Sequence, residues 1–122
     1  MSIPVDLERL RDEADARGSW AYLLTTRADG RPHAVAITPT WDGGVLVTET
    51  GRTTTANSGE RPLVSLVWPP AEEGGYHLVV DADATAGDGF VRLRPTKAVL
   101  HRPAPSPDGG AGGCGSDCVP LT

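Results

Sequence analysis

At 122 residues the chain is long enough for one domain with one modest core. Its composition, 39% hydrophobic and 22% charged, is that of a soluble globular protein, and a net charge of −5 argues against broad nucleic-acid binding, which needs clustered Lys and Arg. No apolar run approaches the ~18 residues of a membrane span and no basic, apolar leader opens the sequence, so the expected location is cytoplasmic and not membrane-bound.

Pro4 to Arg17 is expected as a helix. Leu7, Leu10 and Ala14 fall on one face, Pro4 suits the first turn and Gly18 the position after the last. The opposite face, Glu8 to Glu13, is charged and reads as solvated. From Trp20 the period changes to two. Trp20–Thr26 and His33–Thr38 are strand candidates joined by the hairpin signal Asp29-Gly30, with Pro32 at the start of the second. Asp42-Gly43-Gly44 marks a second hairpin, leading into a strand at Val45–Glu49. Leu63–Trp68 is a fourth strand, apolar enough through Val67 to be expected buried on both faces. Turns at Glu72–Gly75 and Gly87–Gly89 set off a fifth strand, Tyr76–Ala82, and a sixth, Phe90–Arg94, which resumes after Pro95 as Thr96–His101. Short strands joined by tight turns read as an antiparallel meander, and six or seven of them remove their exposed edges by closing into a small barrel. Residues 1–103 are therefore one β-rich domain with an N-terminal helix. Residues 104–122 are a Pro/Gly-rich, Cys-bearing tail that cannot bury enough apolar surface to order itself.

Gly51 to Asn57 stands out between the third and fourth strands. It carries one guanidinium (Arg52), three consecutive hydroxyls (Thr53, Thr54, Thr55) and the only Asn in the chain, Asn57. Three adjacent β-branched residues are poor helix formers, so an irregular or one-turn connection is expected. Backbone N–H groups at such a turn, with hydroxyls and an Arg beside them, can form an anion cup. The same hydroxyls can equally cap a local turn, and the residues alone leave both open. Among the tryptophans Trp41, at a strand end beside a turn, is the best candidate to stack on a planar ligand, with simple core area as the alternative. His33, His77 and His101 have no metal-ligand spacing. Cys114 and Cys118 can close a disulfide, share a metal or stay free, but C-x₃-C lacks two of the four ligands of a closed zinc site.

In the order of its elements the chain resembles the pyridoxamine 5′-phosphate oxidase-like split barrels, which bind flavin or the deazaflavin F420. The residues that carry the resemblance are Tyr22–Thr26, Ala28–His33, Trp41–Gly43, Asn57 with Arg61–Leu66, and Pro95–Pro103. The resemblance implies a small antiparallel split β-barrel that pairs as a homodimer, with two cofactors at the subunit interface. It implies FMN as the cofactor, with F420 or none as alternatives. It places Thr48 and Thr50 at a strand end facing the cofactor, Arg52, Thr53, Thr54 and Asn57 around the phosphate, and His33 to Thr38 (Thr38 among them) with Thr40 and Trp41 near the isoalloxazine plane. Two departures stand out. Relatives usually carry Lys or Arg where this chain has Thr54, and the loss of one ionic contact to a phosphate costs about 1.5–3 kcal/mol. Many also insert a helix where Ala84–Gly89 has room only for a turn.

The resulting expectation is an oxidoreductase-like protein that moves a hydride or two electrons to a small acceptor. No residue stands out as acid or base. The alternative is a non-catalytic split barrel that binds a ligand or partner and has lost tight cofactor binding. A third reading is a metal- or redox-responsive scaffold working through Cys114 and Cys118.

Overall fold

The computed structural model describes residues 1–104, so both cysteines and nearly all of the expected tail lie outside the described residues. The described chain folds as β1 (Ser2–Val5), a 3₁₀ turn (Leu7–Arg9), α1 (Leu10–Arg17), β2 (Ala21–Thr26), β3 (Pro32–Ile37), β4 (Thr40–Asp42), β5 (Val45–Glu49), α2 (Arg52–Glu60), β6 (Leu63–Trp68), β7 (His77–Ala86) and β8 (Phe90–His101). The strands form one curled antiparallel sheet in the order β3-β2-β6-β7-β8-β5-β4, with β1 added to β8. The edge strands β3 and β4 are separated in sequence by only Thr38 and Pro39, so the chain itself bridges the split between the two ends of the sheet. This is the antiparallel split barrel that the sequence leads one to expect.

Every expected turn is present. At the first hairpin the Gly30 N–H donates to Arg27 O over 2.9 Å, and Gly30 takes φ 90°, a left-handed conformation that glycine reaches without a Cβ penalty. The Asp29 carboxylate accepts from the Arg31 N–H at 3.0 Å and fixes the turn. Pro95 does not split the last strand. The register against β7 shifts between Asp81 and Ala82, so Thr96 is absorbed as a bulge and β8 runs through.

Three expectations are corrected. The N-terminal helix does not begin at Pro4: Ser2–Val5 pairs with β8, Ser2 opposite His101 and Val5 opposite Ala98, and the α-helix starts at Leu10. Pro4 is tolerated because an edge strand does not need its N–H. Leu7 accordingly lies in the 3₁₀ turn and is 47% exposed, while Leu10 and Ala14 are buried as expected. The Thr-rich stretch is a nine-residue helix and not a one-turn connection. Its propensity is overridden by packing, since Thr54, Asn57 and Ser58 are buried against the sheet. Finally, β6 is buried on one face only. Val64, Leu66 and Trp68 enter the core, Ser65 and Val67 are half-buried, and Leu63 is 76% exposed.

The core lies inside the curl. Leu23, Leu46, Leu66, Leu78, Val80, Val91 and Leu93 are fully buried there, and Leu10 and Ala14 of α1 join them. Asn57 ties α2 to the sheet. Its Nδ2 donates to Thr25 Oγ1 at 3.1 Å and its Oδ1 accepts from Arg61 at 3.3 Å, while Arg61 Nε donates to Thr26 O at 2.7 Å. α2 is thereby fixed to the end of β2 through a polar network.

Candidate functional site

A groove runs along the split. Its inner part, a cavity of about 490 Å³, lies between the β3–β4 crossing and β5 and is lined by Thr38, Thr40, Val47, Thr48 and Phe90. Its outer part, about 360 Å³, lies between edge strand β3 and the start of α2, lined by His33, Val35, Thr50, Arg52, Thr53 and Thr54. Ala36, Ile37 and Glu49 border both and join them. Each volume is within the ~300–1,000 Å³ of small-molecule sites.

The outer part is rich in hydrogen-bond donors. The first intrahelical bond of α2 runs from the Thr55 N–H to Gly51 O at 3.0 Å, which leaves the N–H groups of Arg52, Thr53 and Thr54 without an intrahelical acceptor. The N-cap is Gly51, no side chain caps this end, and its first turn holds no acidic residue. Free N–H groups and the positive end of the helix dipole therefore face the groove. Arg52 and Thr53 are exposed beside them. The other threonines contribute less. The Thr55 hydroxyl donates to Gly51 O at 2.8 Å and must then accept from Thr50 Oγ1 at 2.6 Å, so the Thr50 proton is already used. The Thr48 hydroxyl donates to Glu49 O at 3.1 Å. Thr50 and Thr48 can offer lone pairs to a ligand hydroxyl but no proton to a phosphate.

The inner part is apolar on one side. Phe90 lies over Gly87, where a Cβ would collide with the ring, and the Gly87 N–H donates to Phe90 O at 2.8 Å. Glu49, exposed at the end of β5, places a carboxylate at the junction of the two parts.

Seven of the nine residues expected to hold a cofactor line this groove: Thr38, Thr40, Thr48, Thr50, Arg52, Thr53 and Thr54. Thr54 does so while buried. The structure sets the other two elsewhere. Trp41 packs against the core under the Arg11 guanidinium, 5.8 Å from its ring centroid, and lines a separate cleft with Leu7, Leu10 and Pro95. Asn57 is 5% exposed and bonded to Thr25 and Arg61, and it does not border the groove. His33, in the strand expected near the cofactor ring, borders the outer part beside Arg52, and Glu49 and Phe90 border the groove without having been singled out. Position at a strand end flanking the Thr-rich stretch was the available signal for Glu49; nothing local marks Phe90.

No protein family model matches the chain. Two curated relatives are uncharacterized proteins of Mycobacterium bovis and Mycobacterium tuberculosis, each 37% identical over 94% of this chain and 93% of its own length. Among solved structures, a protein named for pyridoxamine 5′-phosphate oxidase from Listeria innocua superposes with a TM-score of 0.64 at 19% identity, over 78% of this chain and 98% of its own. The FAD binding protein from Mycobacterium smegmatis gives 0.64 at 15%, over 84% and 100%, and an F420 Reductase gives 0.59 at 19%, over 71% and 94%. The chain belongs to one family with the two uncharacterized mycobacterial proteins, and its fold is that of the pyridoxamine 5′-phosphate oxidase-like split barrels. Other split barrels of this shape differ in what their names say they hold: HutZ, a heme storage protein from Vibrio cholerae, matches with a TM-score of 0.56 at 16% identity, over 78% of this chain and 94% of its own. Both departures from the split-barrel pattern are visible in the structure. Thr54 sits in the groove wall without a charge, and β7 and β8 are joined by the tight turn Gly87–Gly89 with no inserted helix.

Proposed function

We propose that the groove binds a flavin-type cofactor, FMN in the leading reading and F420 in the second, and that the protein is an oxidoreductase-like split barrel acting on a small acceptor in the cytoplasm. The observation that carries this is the uncapped start of α2 opening, with Arg52 beside it, into a groove on a fold that it shares with proteins named for F420 and FAD. The phosphate would lie against the N–H groups of Arg52, Thr53 and Thr54. Thr38, Thr40 and Phe90 would border the ring, and the lone pairs of Thr48 and Thr50 would face the linking hydroxyls. The cofactor supplies the hydride or two-electron chemistry, and the chain supplies position and field.

We also read the protein as a homodimer. Support comes from the outer face of the sheet, where Tyr22 lies opposite Val67 and Val67 opposite Val79 in one row across three strands. Tyr22 is 43% exposed and packs edge-to-face on Trp20, itself 42% exposed, at a ring separation of 5.1 Å. Unpaired apolar rows of this kind mark interaction surfaces.

The second reading is a split barrel that binds without turning over. The uncharged Thr54 and the Glu49 carboxylate at the junction of the groove favour it. Titration of the purified protein with FMN, and separately with F420, followed by fluorescence, separates the readings. Micromolar binding that weakens about tenfold or more in Arg52→Ala supports the cofactor site, since a charge-assisted contact is worth ~1.5–3 kcal/mol. Binding of neither cofactor sinks it and leaves the second reading.

A further inference from the structure

We propose that His33 is an anion-binding residue of the groove, facing Arg52 from the opposite wall and held in its donating tautomer by Arg27. The inference rests on the flavin-type reading and names a residue that reading leaves unassigned.

β3 alternates along its length, and His33, Val35 and Ile37 turn to the inner side of the edge strand. His33 there borders the same outer cavity as Arg52, Thr53 and Thr54. An Arg27 terminal nitrogen lies 3.2 Å from His33 Nδ1. A guanidinium has N–H donors and no acceptor, so Nδ1 must be the accepting nitrogen and the ring proton of the neutral imidazole must sit on Nε2. The far edge of the ring thus carries an N–H donor. A neutral histidine is ordinarily free to exchange tautomers, and the arginine removes that freedom.

The two walls are held in fixed relation. His33 pairs with Thr25 across the β2–β3 hairpin, and Thr25 is the residue that Asn57 of α2 bonds. Arg61, at the end of the helix, holds Thr26 O of the same hairpin. The donor from β3 and the donors from α2 are positioned through one network. Glu49 borders the same cavity and repels an anion, which sends the phosphate to the His33–Arg52 end. In this arrangement β3 contributes the side-chain donor that a basic residue at position 54 would otherwise supply.

FMN and riboflavin differ only by the phosphate, so their affinities for the full chain give the test. His33→Ala should weaken FMN about tenfold or more while leaving riboflavin within about twofold, and His33→Gln, which keeps an N–H donor, should recover part of the loss. Arg27→Met should lower FMN and spare riboflavin. In long-range ¹H–¹⁵N spectra the same substitution should move the His33 ring from the Nε2–H pattern to a tautomer mixture, which a purely structural role would not do. Equal losses for both ligands in His33→Ala, or no loss, would overturn the proposal. Failure of the unaltered protein to take up FMN would remove the flavin reading alone. In that case inorganic phosphate titrated against the same spectra decides: a shift of the His33 Nε2 signal supports the anion site, and a signal that stays still overturns it.

Discussion

Asn57 shows that a single residue's identity leaves its role open. It is the only asparagine and it ends the Thr-rich stretch, so it reads as a ligand; in the fold it faces inward and joins Thr25 to Arg61. Sequence reports which groups can hydrogen-bond and not whether they face water or protein. The two roles predict different outcomes. Asn57→Ala should cost about 1–3 kcal/mol of stability, because it leaves buried partners unsatisfied, and this is read from the midpoint of urea unfolding. A ligand role alone would leave the midpoint in place. Trp41 raises a related question: an aromatic at a strand end can stack on a ligand or on its own core, and here it packs against the core with Arg11 over its ring.

At the scale of elements, the hairpins were legible because they are decided locally. Asp29-Gly30, Asp42-Gly43-Gly44 and Gly87–Gly89 each carry the backbone freedom and side-chain acceptors that a tight reversal needs. Helix α2 was not legible, since three threonines in a row argue against it and contact with β7, β2 and β8 sustains it. Within that helix Ser58 is fully buried, and among the described residues its hydroxyl has no hydrogen-bond partner. Ser58→Ala removes an unsatisfied polar group and gains helix propensity. It should stabilise the protein by about 1 kcal/mol, a rise of roughly 4 °C in the thermal midpoint. A fall in the midpoint would mean that the hydroxyl is satisfied in solution.

For the whole molecule, the split barrel was legible in the succession of short strands, while the division of its faces was not. β6 reads as apolar throughout, yet within one chain only Val64, Leu66 and Trp68 are covered. Of the other apolar residues, Val67 belongs to the outer row that contains Tyr22 and Val79, and Leu63 lies opposite Asp83 at the exposed start of the strand. If that row is the dimer interface, Tyr22→Glu together with Val67→Glu should convert a dimer into a monomer by light scattering, with the strand signal in circular dichroism retained. A monomeric unaltered protein at micromolar concentration would remove the homodimer reading.

The first and last strands of the barrel end side by side. The Met1 amine donates to Arg102 O at 2.9 Å, and the Arg102 N–H donates to Met1 O at 3.2 Å. Topologically the barrel is therefore a ring cut at one place, and the position of the cut is independent of the strand order. A short bridge from residue 102 to residue 1, with the chain reopened at a hairpin turn such as Asp29-Gly30, would return each strand to its neighbours in a different order of synthesis. The same adjacency means that a group attached at Met1 and a group attached at Arg102 would sit side by side at the end of β8.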